Sequence, residues 1–327
     1  MEFNLLQISI STLLLAILID LVFSEPRGLI HVTISSGRFA SFLSKHIPKK
    51  RRTVSMGWFI LILTEAIILL IFYAIFDFLY HIPQIFFFFL IFYAIIEKST
   101  FAFSSMRDHI KPVIQSLESG NMEDARVFLS RVVRRDVSNL DERLIISSSI
   151  ETISEGITDS FVGSLFYFSL FGIMGSIFYR IVNTMDSTIG YRDSANFKLG
   201  RPAALMDTIL NYIPARISSA LIIASAYLLN YNNSKYRMSR MFYSLKSRNA
   251  AYTMCAIASQ LNIKLEKSGS YIINDKGFDP TLKDLKKTLR IFYLSFGLMI
   301  ALITIPLTII SYYLLYPHIL YIFPGLL

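Results

Sequence analysis

Long apolar runs separated by polar, charged segments organise this chain. Four of them, 3–23, 57–80, 82–102 and 291–316, each reach the ~20 mainly apolar residues that a helix needs to cross a bilayer. They predict four spanning helices, with Pro83 near the start of the third and Pro306 as a kink in the last. Segments 161–182 and 213–230 are weaker: Gly163, Gly172 and Gly175 interrupt the first, and the second carries Arg216 and several serines. Re-entrant or interfacial helices fit both, and the pattern leaves open whether either crosses.

The polar stretches carry soluble-helix signals. Pro112 suits the first turn of a helix that stops near Gly120, and Asn121 suits the cap of the next. A third helix is predicted from Ser138, with Asp141 and Glu142 near its positive end. Alternation on either side of Lys267-Ser268-Gly269 predicts a small β-hairpin. The expected fold class is an all-α polytopic membrane protein: about four spanning helices plus re-entrant or interfacial helices, a cytoplasmic helical segment and that hairpin. The expected divisions are N-terminal spanning helices (1–103), a motif-bearing cytoplasmic or interfacial region (104–230), a basic cytoplasmic segment with the hairpin (231–290) and a C-terminal spanning helix (291–327).

Composition agrees with a membrane protein: 54% of residues are hydrophobic and 17% charged, against ~25% charged in soluble globules. The net charge of +9 orients the chain. Segment 24–56 holds seven Lys/Arg and one acid, and 231–290 holds twelve and four, so both are expected inside. Counting crossings then puts 97–160 inside as well. Segments 161–182 and 213–230 therefore either both cross or both do not, and that choice decides the side of the polar decapeptide NTMDSTIGYR, residues 183–192. The apolar N-terminus has no basic residue before it, which predicts a retained helix instead of a cleaved signal. Cys255 is the only cysteine; its neighbours are small or apolar, so packing is expected. No nucleic-acid signature, phosphate loop, dinucleotide fingerprint, zinc pairing or acyl-enzyme elbow occurs. Asp20 and Asp77 are expected at headgroup level, whereas Glu65 lies deep in a run with no evident partner.

Three carboxylates, Glu151, Glu155 and Asp159, recur every fourth residue and share one helical stripe. Like charges at this spacing repel. Either a divalent cation such as Mg²⁺ neutralises them, or they form a solvated face paired with Arg131 or Arg135. The decapeptide offers Asn183, Asp186, Ser187, Tyr191 and Arg192, with Gly190 permitting a tight turn; a site and a plain polar loop stay equally open. Asp207 and Asn211 follow on one face, then Pro214 and Arg216.

In this order the motifs resemble the CobD/CbiB family, the membrane-bound adenosylcobinamide-phosphate synthases of cobalamin biosynthesis. NTMDSTIGYR is close to that family's NT-x-DS-x-x-GYR, and DTILNYIPAR resembles its DD-x-x-N-x-x-PAR. IETISEGITDS, RRDVSNLDE, FSSMRDH, LEKSGSYI and a weakened SRNAAYTM match further family segments, and Asp20, Glu25-Pro26 and His31 match its early D…DP…H pattern. The chain departs from the family at Ser104, Arg134, Val137, Gly156, Ser160, Leu205, Thr208, Arg248 and Ala251. The resemblance implies amide formation between adenosylcobyric acid and aminopropanol phosphate, with ATP and Mg²⁺, at the cytoplasmic face of a multi-pass protein of the cell membrane. On that reading Glu155, Asp159 and Asp186 are catalytic, and Glu151, Glu155, Asp159 and Asp186 are metal ligands. Asn183, Ser187, Tyr191, Arg192, Asp207, Asn211, Arg216 and Asn249 contact substrate. The expected partners are these small molecules and lipid, with no nucleic acid; a homo-oligomer stays open. The competing readings are a divergent paralogue with another substrate and a non-enzymatic membrane binder or transporter.

Overall fold

A computed structural model describes residues 5–23, 31–82, 86–190, 197–232, 245 and 247–316. Its helices are α1 (Leu5–Val22), α2 (Val32–His46), α3 (Val54–Tyr80), α4 (Phe86–Lys98), α5 (Phe103–Glu118), α6 (Met122–Ser130), α7 (Glu142–Ile157), α8 (Gly163–Ile189), α9 (Phe197–Leu210), α10 (Tyr212–Leu228) and α11 (Arg248–Leu261). Strands β1 (Leu265–Lys267) and β2 (Tyr271–Ile273) follow, then α12 (Leu282–Leu298) and α13 (Ile305–Leu314). A π-helical turn, Thr158–Val162, separates α7 from α8, and another, Met299–Thr304, separates α12 from α13. Pro306 stands in the first turn of α13, where its missing N–H costs little.

Local capping chemistry sets several boundaries. Thr53 caps α3 by accepting from the Met56 amide (3.2 Å). Asn121 caps α6 through the Asp124 amide (3.1 Å), as its sequence context predicts. The start of α7 differs from the expectation at Ser138. Asp136 ties Ser138 into a turn (2.9 Å), and Asp141 caps the helix through the Leu144 amide (2.7 Å). Pro112 lies inside α5, not in its first turn. The hairpin is present in antiparallel register, Leu265 opposite Ile273, and Gly269 supplies the positive φ of its turn (70°).

Four stretches are long and apolar enough to cross a membrane: Leu5–Val22, Val54–Tyr80, Glu142–Ile189 and Leu282–Leu314. The pairs Phe86–Lys98 with Phe103–Glu118 and Phe197–Leu210 with Tyr212–Leu228 raise the number to six if each pair is one span. The expected span 82–102 is thus not one helix: α4 ends at Lys98. Pro83 lies outside the described residues.

The chain divides into two compact units, each assembled from separated segments. The first holds residues 1–102, 163–211 and 301–327. Here α1 packs on α4, α2 on α8, and α3 on α9 and α8. Gly57 gives α3 its close approach to α9, because any side chain there would meet the Leu199 carbonyl and the Pro202 ring. The polar end of α4 turns inward. Lys98 pairs with Asp20 of α1 at 3.3 Å, both fully buried. Glu97 accepts from Ser176 and Thr100, and Ser164 donates to the Thr100 carbonyl (2.6 Å). Glu65 also faces inward, and neither of its carboxylate oxygens has a hydrogen-bond partner among the described residues.

Helix α8 is a folded-back hairpin. At Phe171 and Gly172 the backbone leaves the helical region, with Gly172 at φ 64°, ψ −159°, conformations essentially restricted to glycine. In a straight helix Gly163 and Tyr179 would lie ~24 Å apart. Instead the Tyr179 ring occupies the space beside the Gly163 Cα, and the Tyr167 and Tyr179 rings stack at 5.4 Å. The segment therefore returns along itself, as the re-entrant expectation for 161–182 requires. The hairpin's tip, Phe171 to Met174, lines a small cavity with Leu5, Tyr80 and Tyr316. Its base lies at the opposite end of α3, where Gly37 of α2 meets Thr184.

The second unit holds residues 103–162 and 212–300. Helix α7 packs on α12, α11 and β1, and α10 packs on α11. Ile145, Ile146, Ile150, Ile153 and Ile157 turn the apolar face of α7 into this core, each contributing about 1.5–3 kcal/mol on full burial. Phe103, Phe161, Phe292 and Phe296 form an aromatic cluster, with Phe103 stacked on Phe296 at 4.0 Å. Cys255 is buried in α11, where a packing role was expected, and burial pushes its thiol up to about 12.

Candidate functional site

The motif residues fall into two polar clusters, one in each unit. In the second unit Glu151 is held from three directions. Its Oε1 accepts from Ser147 one turn earlier (2.9 Å), and its Oε2 accepts from Arg135 (3.2 Å) and from the Tyr271 hydroxyl (2.8 Å). Ser147 also accepts from the Glu266 amide (2.8 Å), and Arg143 pairs with the Glu266 carboxylate (2.6 Å). The hairpin is thereby pinned to α7. Burial and the adjacent Glu151 carboxylate push the Tyr271 phenol well above its ordinary range, so it stays a neutral donor.

Glu155, one turn after Glu151, is exposed and accepts no hydrogen bond among the described residues. Its electrostatic neighbours are Glu151, Lys267 and Arg135. Asp159 is exposed too, but it lies in the π-helical turn, where the 3.6-residue stripe that would continue from Glu151 and Glu155 ends. The repulsion anticipated from the sequence is reduced by Lys267 and by Arg135, already suggested as an ion partner. Among the described residues no three His, Cys, Asp or Glu side chains converge in a way that could hold a metal ion.

Arg216 lies in the first turns of α10. Its guanidinium carbon is 3.4 Å from the Tyr212 ring centroid and 4.3 Å from that of Tyr252 on α11. Asn249 precedes Tyr252 by three residues and so shares its face of α11.

In the first unit, Asn183, Thr184, Asp186 and Ser187 are not loop residues. They belong to the last turns of α8, and Asn183, Asp186 and Ser187 share one helical face. Asp207 of α9 accepts from Asn183 (3.1 Å) and, through both oxygens, from Asn211 (3.1 Å each). The amide oxygens are used as well: Asn211 accepts from Tyr179 (2.8 Å), and Asn183 from Arg180 (3.5 Å). Arg180 in turn donates to Thr33 of α2 (2.9 Å). Gly190 serves close approach without a positive φ, and the residues that would complete the expected turn lie outside those described. A side chain there would strike Asp186, and one at Gly200 would strike the Ile189 carbonyl. Ser187 donates back to the Asn183 carbonyl (2.9 Å). Tyr191 and Arg192 lie outside the described residues, as do Glu25 and Pro26.

The structure thus joins Asn183, Asp207 and Asn211 into one network, and places Glu151 beside Glu155. Sequence reading missed Tyr179, Arg180, Ser147, Lys267, Tyr212 and Tyr252 as participants. Tyr271 and Lys267 lay in a segment already singled out, LEKSGSY, but nothing local marks them as neighbours of α7.

The protein-family pattern described as CobD/Cbib protein matches residues 13–293. The probable cobalamin biosynthesis protein CobD of Thermoplasma acidophilum is 39% identical over 300 residues, covering 92% of this chain and 98% of that protein. The protein of the same name in Thermoplasma volcanium is 39% identical over 295 residues, covering 90% and 96%. That of Methanocaldococcus jannaschii is 32% identical over 274 residues, covering 82% and 89%. No solved structure matches the chain.

Proposed function

The chain belongs to the CobD/CbiB family of cobalamin-biosynthesis proteins, and from that premise we propose that it is a membrane-embedded synthase. It joins a carboxylate of adenosylcobyric acid to the amine of aminopropanol phosphate as an amide, with ATP and Mg²⁺. The observation that carries the reading is the unequal use of the α7 carboxylates. Glu151 is consumed by Arg135, Tyr271 and Ser147, whereas Glu155 remains exposed and unbonded among the described residues, with Lys267 and Arg135 as cationic neighbours. An open carboxylate flanked by cations suits chemistry in which phosphoryl charge develops and an amine sheds a proton.

The donor set fits Mg²⁺ of the kind held by one or two carboxylates and by substrate phosphate, not one caged by protein ligands. Glu155 and Asp159 would hold it, and the ion would supply charge stabilisation to phosphoryl oxygens. Lys267 and Arg135 offer positive charge beside Glu155, and Glu151 with Tyr271 keeps Arg135 in place. A cytoplasmic site is supported by the α8 hairpin. Its base, with Asn183 and Asp186, adjoins α2, which belongs to the basic 24–56 segment expected inside.

The test is to incubate purified protein with ATP, Mg²⁺, adenosylcobyric acid and aminopropanol phosphate and detect the amide by mass spectrometry. The Asp186→Asn variant is expected to lose turnover; full activity in it would remove Asp186 from the catalytic residues. One observation favours a paralogue with another amine. Gly156 stands where the family carries Asn, and the Met106 methyl fills the space that a side chain there would need. Faster turnover with a different amine in the same assay would select that reading.

A further inference from the structure

Arg216 differs from two other half-buried arginines of the second unit. Arg135 is paired with Glu151 and Arg143 with Glu266. Among the described residues no carboxylate pairs with Arg216. What holds it is aromatic: the Tyr212 ring one turn earlier on α10 and the Tyr252 ring across on α11. Stacking engages the flat face of a guanidinium and leaves its in-plane N–H donors unused. One of them donates to the Tyr212 carbonyl. The rest form an edge suited to bidentate capture of an oxyanion. Fixing the fork by stacking also removes rotamer freedom before any ligand arrives, which favours binding.

We infer that the Tyr212–Arg216–Tyr252 clamp is a preformed binding site for a phosphate-type oxyanion, with Tyr252 a positioning residue. That the oxyanion is a substrate phosphate rests on the proposed reaction; the binding does not.

The experiment uses the full-length protein in detergent and titrates it with inorganic pyrophosphate by calorimetry, without corrinoid or metal. The wild type is expected to bind saturably. Arg216→Lys keeps the charge but loses the fork, and is expected to weaken binding roughly tenfold or more. Tyr252→Leu is expected to weaken it several-fold, while Tyr252→Phe, which keeps the ring, binds as the wild type does. Thermal unfolding of each variant separates lost binding from lost fold, and should Tyr252→Leu not fold, Arg216→Lys decides. Wild-type affinity in folded Arg216→Lys, or no saturable binding in the wild type, overturns the inference. Displacement of pyrophosphate by ATP or by an aminoalkyl phosphate supports it and names the source, and displacement by neither removes the link to substrate. Failure of the amide-forming assay with pyrophosphate binding intact would instead count against the proposed reaction alone.

Discussion

Asp207 and Glu151 are both carboxylates held by three hydrogen bonds, yet the two units meet them with opposite chemistry. Asp207 accepts only from the neutral amides of Asn183 and Asn211, whose own oxygens are taken by Arg180 and Tyr179. Through Asn183 on α8 and Asp207 on α9, that network fixes α8 against α9. Glu151 accepts from a cation, a phenol and a hydroxyl, and the same Arg135, together with Lys267, also acts on the open Glu155. A closed amide network positions; a cationic cluster with one carboxylate left over has capacity for chemistry.

The largest expected effect tests how far desolvation governs the first unit. Lys98→Met removes one half of the buried pair with Asp20 and should cost about 3–5 kcal/mol. Thermal or denaturant unfolding in detergent checks it. The double variant Lys98→Met, Asp20→Leu should recover most of the loss, because the stranded charge goes too. If the single variant unfolds where the wild type does, the pair is not desolvated as described.

Glu155→Gln should lower turnover about a hundredfold and leave the unfolding temperature unchanged, since no described residue bonds to that carboxylate. Unchanged turnover would move the chemistry away from α7. Tyr271→Phe takes one donor from Glu151 and should cost about 1 kcal/mol of stability, read from the shift of the unfolding midpoint. A loss of several kcal/mol would mean that the hairpin's docking depends on this phenol more than on Arg143 and Ser147. At the small end, Glu118→Ala breaks an ion pair with Lys286 whose side chains are both nearly half exposed, and should change stability by under about 0.5 kcal/mol.

The legible parts of this protein are those written in neighbouring residues. The runs that became α1 and α3, the Asn121 cap and the Gly269 turn depend on side chains within a few positions, and each could be read directly. The run 82–102 misled because hydropathy averages over Glu97 and Lys98, whose inward partners lie on α8 and α1. The α7 stripe was visible, and so was Arg135 as a partner, but nothing near Glu151 in the chain announces Tyr271.

By itself, then, the sequence determined a helical membrane protein, the neighbourhoods in which α1, α3 and α6 begin, and, through its ordered motifs, the family. Those properties follow from local hydrogen-bond closure and from the cost of exposing backbone to lipid. Tertiary structure decided which polar groups are spent and which are left. It folded α8 back at Gly172 because Gly163 leaves room for the Tyr179 ring. It closed the Asn183–Asp207–Asn211 network, left Glu155 open, and laid two tyrosine rings over Arg216. Such pairings join residues far apart in the chain, and their energies depend on burial that only packing creates.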